Sequence, residues 1–137
     1  MRRTAVAAAL FALAACTPPL QTAAPACTAP LKPALEVDLY FGRETDTGRE
    51  VSEAEWASFL NDEVTPRFSD GLSVLEVRGQ SRNPQGRIER ERTKLLVVVV
   101  FDAPAHRPKV QAIVEGYSRR YGQHNVFHVE HGVCAGL

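Results

Sequence analysis

The residues best able to do chemistry flank the tetrapeptide Asn83-Pro84-Gln85-Gly86. Asn-Pro followed by Gly marks a turn, so Leu72 to Arg82 and Arg87 to Phe101 read as the arms of a β-hairpin. With Arg82 paired to Arg87, Arg78 stands opposite Glu91 and Gln80 opposite Glu89, all on one face. Arg43 and Arg67 are expected to approach from neighbouring loops. Guanidinium groups grip anions through charge-assisted hydrogen bonds, and an adjacent carboxylate is a candidate base. Arg43, Arg67, Arg78, Gln80, Glu89 and Glu91 are thus the candidate ligand-binding residues, for a small polar or anionic ligand. The competing reading is cross-strand ion pairs on a solvated strand, each worth roughly a few tenths of a kcal/mol.

Other chemistries find less support. His128 and His131 are three apart on an expected strand and so point to opposite faces. His128 and Glu130 share a face, but two ligands fall short of a zinc site, and neither a metal nor a cofactor is expected. The sequence holds no nucleophile elbow, Walker loop or dinucleotide glycine fingerprint, so no catalytic residue can be assigned. Thr65 to Gly71 reads as a turn in which Pro66 stops a helix and Arg67 pairs with Asp70; a binding loop is the alternative.

The elements that must position these groups follow from periodicity. Leu35, Val37, Leu39 and Phe41 alternate with polar residues and Tyr40, a strand with one apolar face. Ser52 and Glu55 form a capping box, with Val51 and Trp56 placed for a hydrophobic staple. Trp56, Phe59, Leu60 and Val64 continue one helical face until Pro66 ends it. Leu95 to Phe101 is apolar on both faces, as a central strand is. Pro108 opens a second helix carrying Val110, Ile113, Val114, Tyr117 and Tyr121, and Gly122 closes it. Asn125 to Val133 forms the last strand. The order βαββαβ predicts an α+β, ferredoxin-like sandwich: a four-stranded antiparallel sheet with both helices on one face.

Composition and the N-terminal residues bear on location. The 137 residues carry 16 Lys+Arg and 16 Asp+Glu, a zero net charge that removes the electrostatic case for nucleic-acid binding. Arg2 and Arg3 precede eleven uncharged apolar residues, too short to cross ~30 Å of hydrocarbon and suited to a secretory signal. Leu13-Ala14-Ala15-Cys16 resembles the lipobox of bacterial lipoproteins. That resemblance implies cleavage after residue 15, a lipid on Cys16 and, with Thr17 next, the periplasmic face of the outer membrane; the membrane is then a partner through that lipid. Residues 16–34 hold Cys16 and a Pro/Ala-rich tether, and residues 35–137 hold the domain. Cys27 and Cys134 remain as an even pair in an oxidising compartment, expected to form a disulfide; two free or intermolecular thiols are the alternative.

Leu39-Tyr40-Phe41-Gly42-Arg43, Val51 to Trp56 with Phe59, Thr65-Pro66-Arg67-Phe68 with Asp70-Gly71-Leu72, Gly79-Gln80 and Arg90-Glu91 occur in an order that resembles a bacterial family, domain of unknown function 3574. The likeness runs from about Leu35 to the last strand. This chain departs at Ser69 and Ser81, where the family tends to have Pro and Trp. The resemblance implies fold and kinship and carries no activity. The expectation is a lipid-anchored envelope protein whose domain is a binding or interaction module without catalytic activity, with a homodimer among its candidate assemblies. The alternative is a small enzyme like those of the dimeric α+β-barrel class, with a pocket between sheet and helices.

Overall fold

A computed structural model describes residues 26–137. The signal segment 1–15, Cys16 and tether residues 17–25 lie outside the described residues. Strand β1 spans Lys32–Gly42 and leads through a short bridged loop to helix α1, Glu53–Phe59, which continues as a π-helical stretch, Leu60–Val64. Then follow β2 (Ser73–Arg82), β3 (Ile88–Val100), α2 (Arg107–Tyr121) and β4 (Phe127–Ala135). The sheet is fully antiparallel in the order β2-β3-β1-β4, so the topology is ferredoxin-like, with β1 and β3 at the centre. Strand β1 begins three residues before Leu35, inside the segment read as tether.

Alternation fixes which face is covered. Val37, Leu39 and Phe41 of β1 and Leu96, Val98 and Val100 of β3 are buried. Onto them pack Trp56 and Phe59 of α1 and Val110, Ile113, Tyr117 and Tyr121 of α2. Phe41 touches Trp56, Phe59 and Tyr117, with ring centroids 4.8–5.8 Å apart, so both helices lie on the same face. The Tyr117 hydroxyl donates to Gly42 O at 2.8 Å, satisfying a buried polar group from within the core.

The Ser52–Glu55 capping box forms, and Val51 and Trp56 are both buried in the core. Regular α geometry stops at Phe59. The next turn bonds i to i+5, as Thr65 N to Leu60 O at 2.8 Å shows. The wider turn returns Val64, five residues on, to the face of Phe59, and both are fully buried while Leu60 is half-buried. Gly122 ends α2 at φ 68°, a left-handed cap that glycine adopts at little cost.

The hairpin register differs from the sequence expectation by one residue. Arg82 pairs with Ile88, Arg78 with Arg92, Gln80 with Arg90, Gly79 with Glu91 and Ser81 with Glu89. The cause is the turn. Gly86 takes φ 80°, Asn83 N donates to Arg87 O at 2.9 Å, and Asn83 Oδ1 accepts from the backbone of Gln85 and Arg87. These bonds leave a three-residue loop with a left-handed glycine, not a four-residue one. A one-residue slip turns every facing side chain over. Glu89 and Glu91 therefore lie on the sheet face opposite to Arg78 and Gln80.

Candidate functional site

The candidate binding residues separate into distinct environments. Arg43, at the end of β1, is buried at 3% exposure. Its Nε and Nη2 donate to Val51 O at 2.9 and 2.5 Å, and its Nη1 reaches Glu53 at 2.5 Å and Glu76 at 3.3 Å. Lys94, also buried, bonds Glu53 at 2.7 Å and pairs with Glu76. Arg92 completes the cluster through Glu50 and Glu76. Three cations thus meet three carboxylates where β1, β2 and β3 approach the start of α1. Hydrogen bonds from Lys94 and then Arg92 hold the Glu76 carboxyl at about 2, and a bond from Lys94, with Arg43 nearby, holds Glu53 below its ordinary value. The cluster is internally satisfied, and Arg43 serves to tie the β1–α1 loop to the sheet.

Arg67 does not join the patch, and it pairs with Glu63 at 3.1 Å in place of Asp70. Helical turns run on from Val64 to Phe68, with Arg67 N and Phe68 N both bonded to Val64 O, so the residue four back is the reachable carboxylate. Glu89 accepts from Asn83 Nδ2 at 2.7 Å and braces the hairpin turn. Arg78 and Gln80 share one face with Arg90 and Arg92, whereas Glu91 lies on the other. Pairing of β1 with β3 ends at Gly42–Thr93, so residues 78–82 and 88–92 project as a two-stranded ribbon beyond the sheet. A cleft of about 460 Å³ runs along that ribbon, lined by Arg78, Gly79, Gln80, Arg90, Glu91 and Arg92. Arg78 and Arg90 have no ion pair or side-chain hydrogen bond among the described residues, whereas Arg92 is engaged by Glu50 and Glu76. Glu91 leans over Gly42, where a Cβ would collide with its carboxylate, and contacts Glu44 N and Gln123 Nε2 at 3.4 Å each. Glycine at residue 42 makes room for that carboxylate.

Two histidine groups lie elsewhere. His106, 1% exposed and ahead of α2, meets Glu130 at 2.9 Å, and His128 meets the same carboxylate oxygen at 3.2 Å. The His106 contact lowers the Glu130 carboxyl below its ordinary value. No local sequence signal joins His106 to His128 and Glu130, because it lies more than twenty residues away and meets them only in the folded chain. On the open sheet face, Glu36, Asp38 and His131 offer ligand atoms within 4.8 Å of one another. The alternation of β1 places Glu36 and Asp38 on one face, but only the β1–β4 register brings His131 opposite Glu36.

Cys27 and Cys134 form a disulfide, with Cα atoms 5.5 Å apart. Among the described residues no helix is long and apolar enough to cross a membrane, and the disulfide is compatible with export.

Solved structures share the fold at low identity. A phage S-adenosylmethionine lyase in complex with S-methyl-5'-thioadenosine matches with TM-score 0.53 and 13% identity over 74% of this chain and 90% of that one. A phage S-adenosylmethionine lyase in its apo state gives 0.54 and 14%, over 74% and 84% of the two chains. CutA1 from Oryza sativa gives 0.50 and 7%, over 78% and 85%. At such identities the likeness concerns the fold alone. No functionally curated protein matches the sequence. The model of the family described as Protein of unknown function (DUF3574) matches residues 36–136, nearly all of the described domain, and the chain belongs to that family.

Proposed function

We propose that the protein is an exported, lipid-anchored envelope protein whose domain binds a small anionic ligand or an anionic group of a partner along the β2–β3 ribbon. The observation that carries this reading is the ribbon cleft, in which Arg78 and Arg90 lie diagonally across the strand pair on one face, without a carboxylate partner among the described residues. Unpaired guanidinium groups on neighbouring strands, with Gln80 beside them, supply the forked donors that a phosphate or carboxylate accepts. The alternative, a small enzyme, needs an enclosed pocket with Arg43, Arg78 or Glu91 directed inward. Arg43 is instead consumed by Val51, Glu53 and Glu76, the space between sheet and helices is filled by aromatic rings, and the ribbon cleft opens to solvent.

Calorimetric titration with pyrophosphate tests the cleft. Binding that drops at least tenfold in an Arg78→Ala/Arg90→Ala variant supports the reading, and no binding, or binding indifferent to both residues, overturns it. Labelling cells with a palmitate analogue tests the anchor: a Cys16→Ser variant that still takes up label refutes lipidation at Cys16.

The homodimer rests on the open face of the sheet. Leu75, Val99 and Phe127 are exposed there, on three different strands. An apolar sheet face of this extent matches the side of a second copy, each covering the other. Light scattering that returns a monomer at high micromolar concentration would remove the dimer.

A further inference from the structure

The open face of the sheet is apolar along β2, β3 and β4, yet its central strand carries two carboxylates. Glu36 and Asp38 sit on that face of β1, flanked across the strand pairs by Val99 and Val97 of β3 and by His131 and Val129 of β4. The Asp38 side chain is only 13% exposed, and its Oδ1 is shut off from solvent with no hydrogen-bond partner. The His131 Nε2 lies 3.7 Å from Asp38 Oδ2, too far for a hydrogen bond. A carboxylate oxygen removed from water without a donor is an unfavourable arrangement that no donor among the described residues offsets. Neighbouring side chains on β3 and β4 are valines, so His131 is the nearest group on the face able to bear positive charge.

We propose that Glu36, Asp38 and His131 form a binding site for a divalent transition-metal ion of the zinc or cobalt type. The three residues contribute two carboxylate oxygens and one imidazole nitrogen, all within 4.8 Å of one another, a spacing from which a single ion can be reached by small side-chain rotations. One imidazole with two carboxylates is a mixed set that suits borderline ions. It lacks the thiolates that select soft ones and the all-oxygen cage preferred by calcium or magnesium. The ion would supply the positive charge that the largely buried Asp38 carboxylate lacks, and half-exposed His131 would leave its remaining positions to water. All three ligands come from one chain, on the sheet face assigned above to the dimer and away from the ribbon cleft.

Zinc titrated into the tag-free, disulfide-bonded protein, in competition with a chromophoric chelator, tests this assignment. One equivalent is expected to bind with a dissociation constant in the micromolar range or below. Asp38→Asn and His131→Ala should each weaken binding at least tenfold, whereas His128→Ala, on the opposite face, should leave it within twofold. Cobalt in place of zinc should give a visible absorption band that His131→Ala abolishes. Asp38→Asn keeps the side-chain volume and removes charge next to valines, and melting curves verify that both variants fold. Failure of the wild-type protein to bind zinc overturns the proposal, as does binding unaffected by Asp38→Asn and His131→Ala. Anion binding at Arg78 and Arg90 would be unchanged by either outcome.

Discussion

Arg43 shows how a residue type suited to binding can be committed to the fold. Its guanidinium is desolvated, but five of its contacts are charged or carbonyl oxygens within 3.4 Å, so little of its donor capacity is left for a ligand. Arg43→Ala is expected to lower the free energy of urea unfolding by about 2–3 kcal/mol, the scale for hydrogen bonds to charged groups. Arg43→Lys should recover little of this, because an ammonium cannot make the double contact with Val51 O. The surrounding carboxylates give the molecule an acid response of known sign. Glu76 is held at about 2 by Lys94 and Arg92, against an ordinary 4.5. A group whose value is depressed on folding stabilises fully above its unfolded value and loses that contribution as pH falls through the folded one. The melting temperature should therefore decline between about pH 4.5 and pH 2, and the decline should be shallower in Glu76→Gln. The sequence identifies Arg43, Glu53 and Glu76 as charged residues, but they are widely separated along the chain. Their meeting depends on the position of the β1–α1 loop, which no local pattern encodes.

The elements were largely legible because their signals are local. The Ser52–Glu55 box, the alternation of β1, the apolar run of β3 and the Gly122 stop each arise within a few residues. Ser52→Ala should destabilise the protein by about 1 kcal/mol in chemical denaturation, the usual worth of such a cap. Gly122→Ala should cost about 1 kcal/mol as well, since its φ of 68° disfavours a side chain and the added Cβ would meet the Asp46 carboxylate. Two features escaped local reading. The π-helical turn after Phe59 exists because Val64 must rejoin the core, a tertiary demand that overrides regular helix geometry. The hairpin register turns on whether Asn83 sits in the loop or pairs with Arg87, and that single distinction separates Glu91 from Arg78 across the ribbon. The candidate site was consequently legible as a list of residues along β2 and β3 and not as a set of partners.

The whole molecule is governed by its strand order and by one covalent link. Central β1 and β3 carry the core on one side, and on the other they present valines beside Glu36 and Asp38. The Cys27–Cys134 link joins residues 107 apart. In the chain-entropy account, closing a loop of that size restricts the unfolded state by about 4.7 kcal/mol. A Cys27→Ser/Cys134→Ser variant should therefore unfold at a lower urea concentration, by an amount equivalent to several kcal/mol. An unchanged midpoint would show that the link contributes nothing to stability.

The same link has a mechanical consequence. It makes residues 27–134 a closed covalent ring that contains β1 to β3, both helices and all of β4 but its last residue. Tension applied to the polypeptide ahead of Cys27 reaches Cys134 through sulfur atoms and does not peel β1 from its neighbours. Whatever pulls on the leading segment moves the domain as a block, like a bead on a wire. In single-molecule stretching, the oxidised protein should lengthen by far less than its 137 residues permit, and reduction should restore the missing extension.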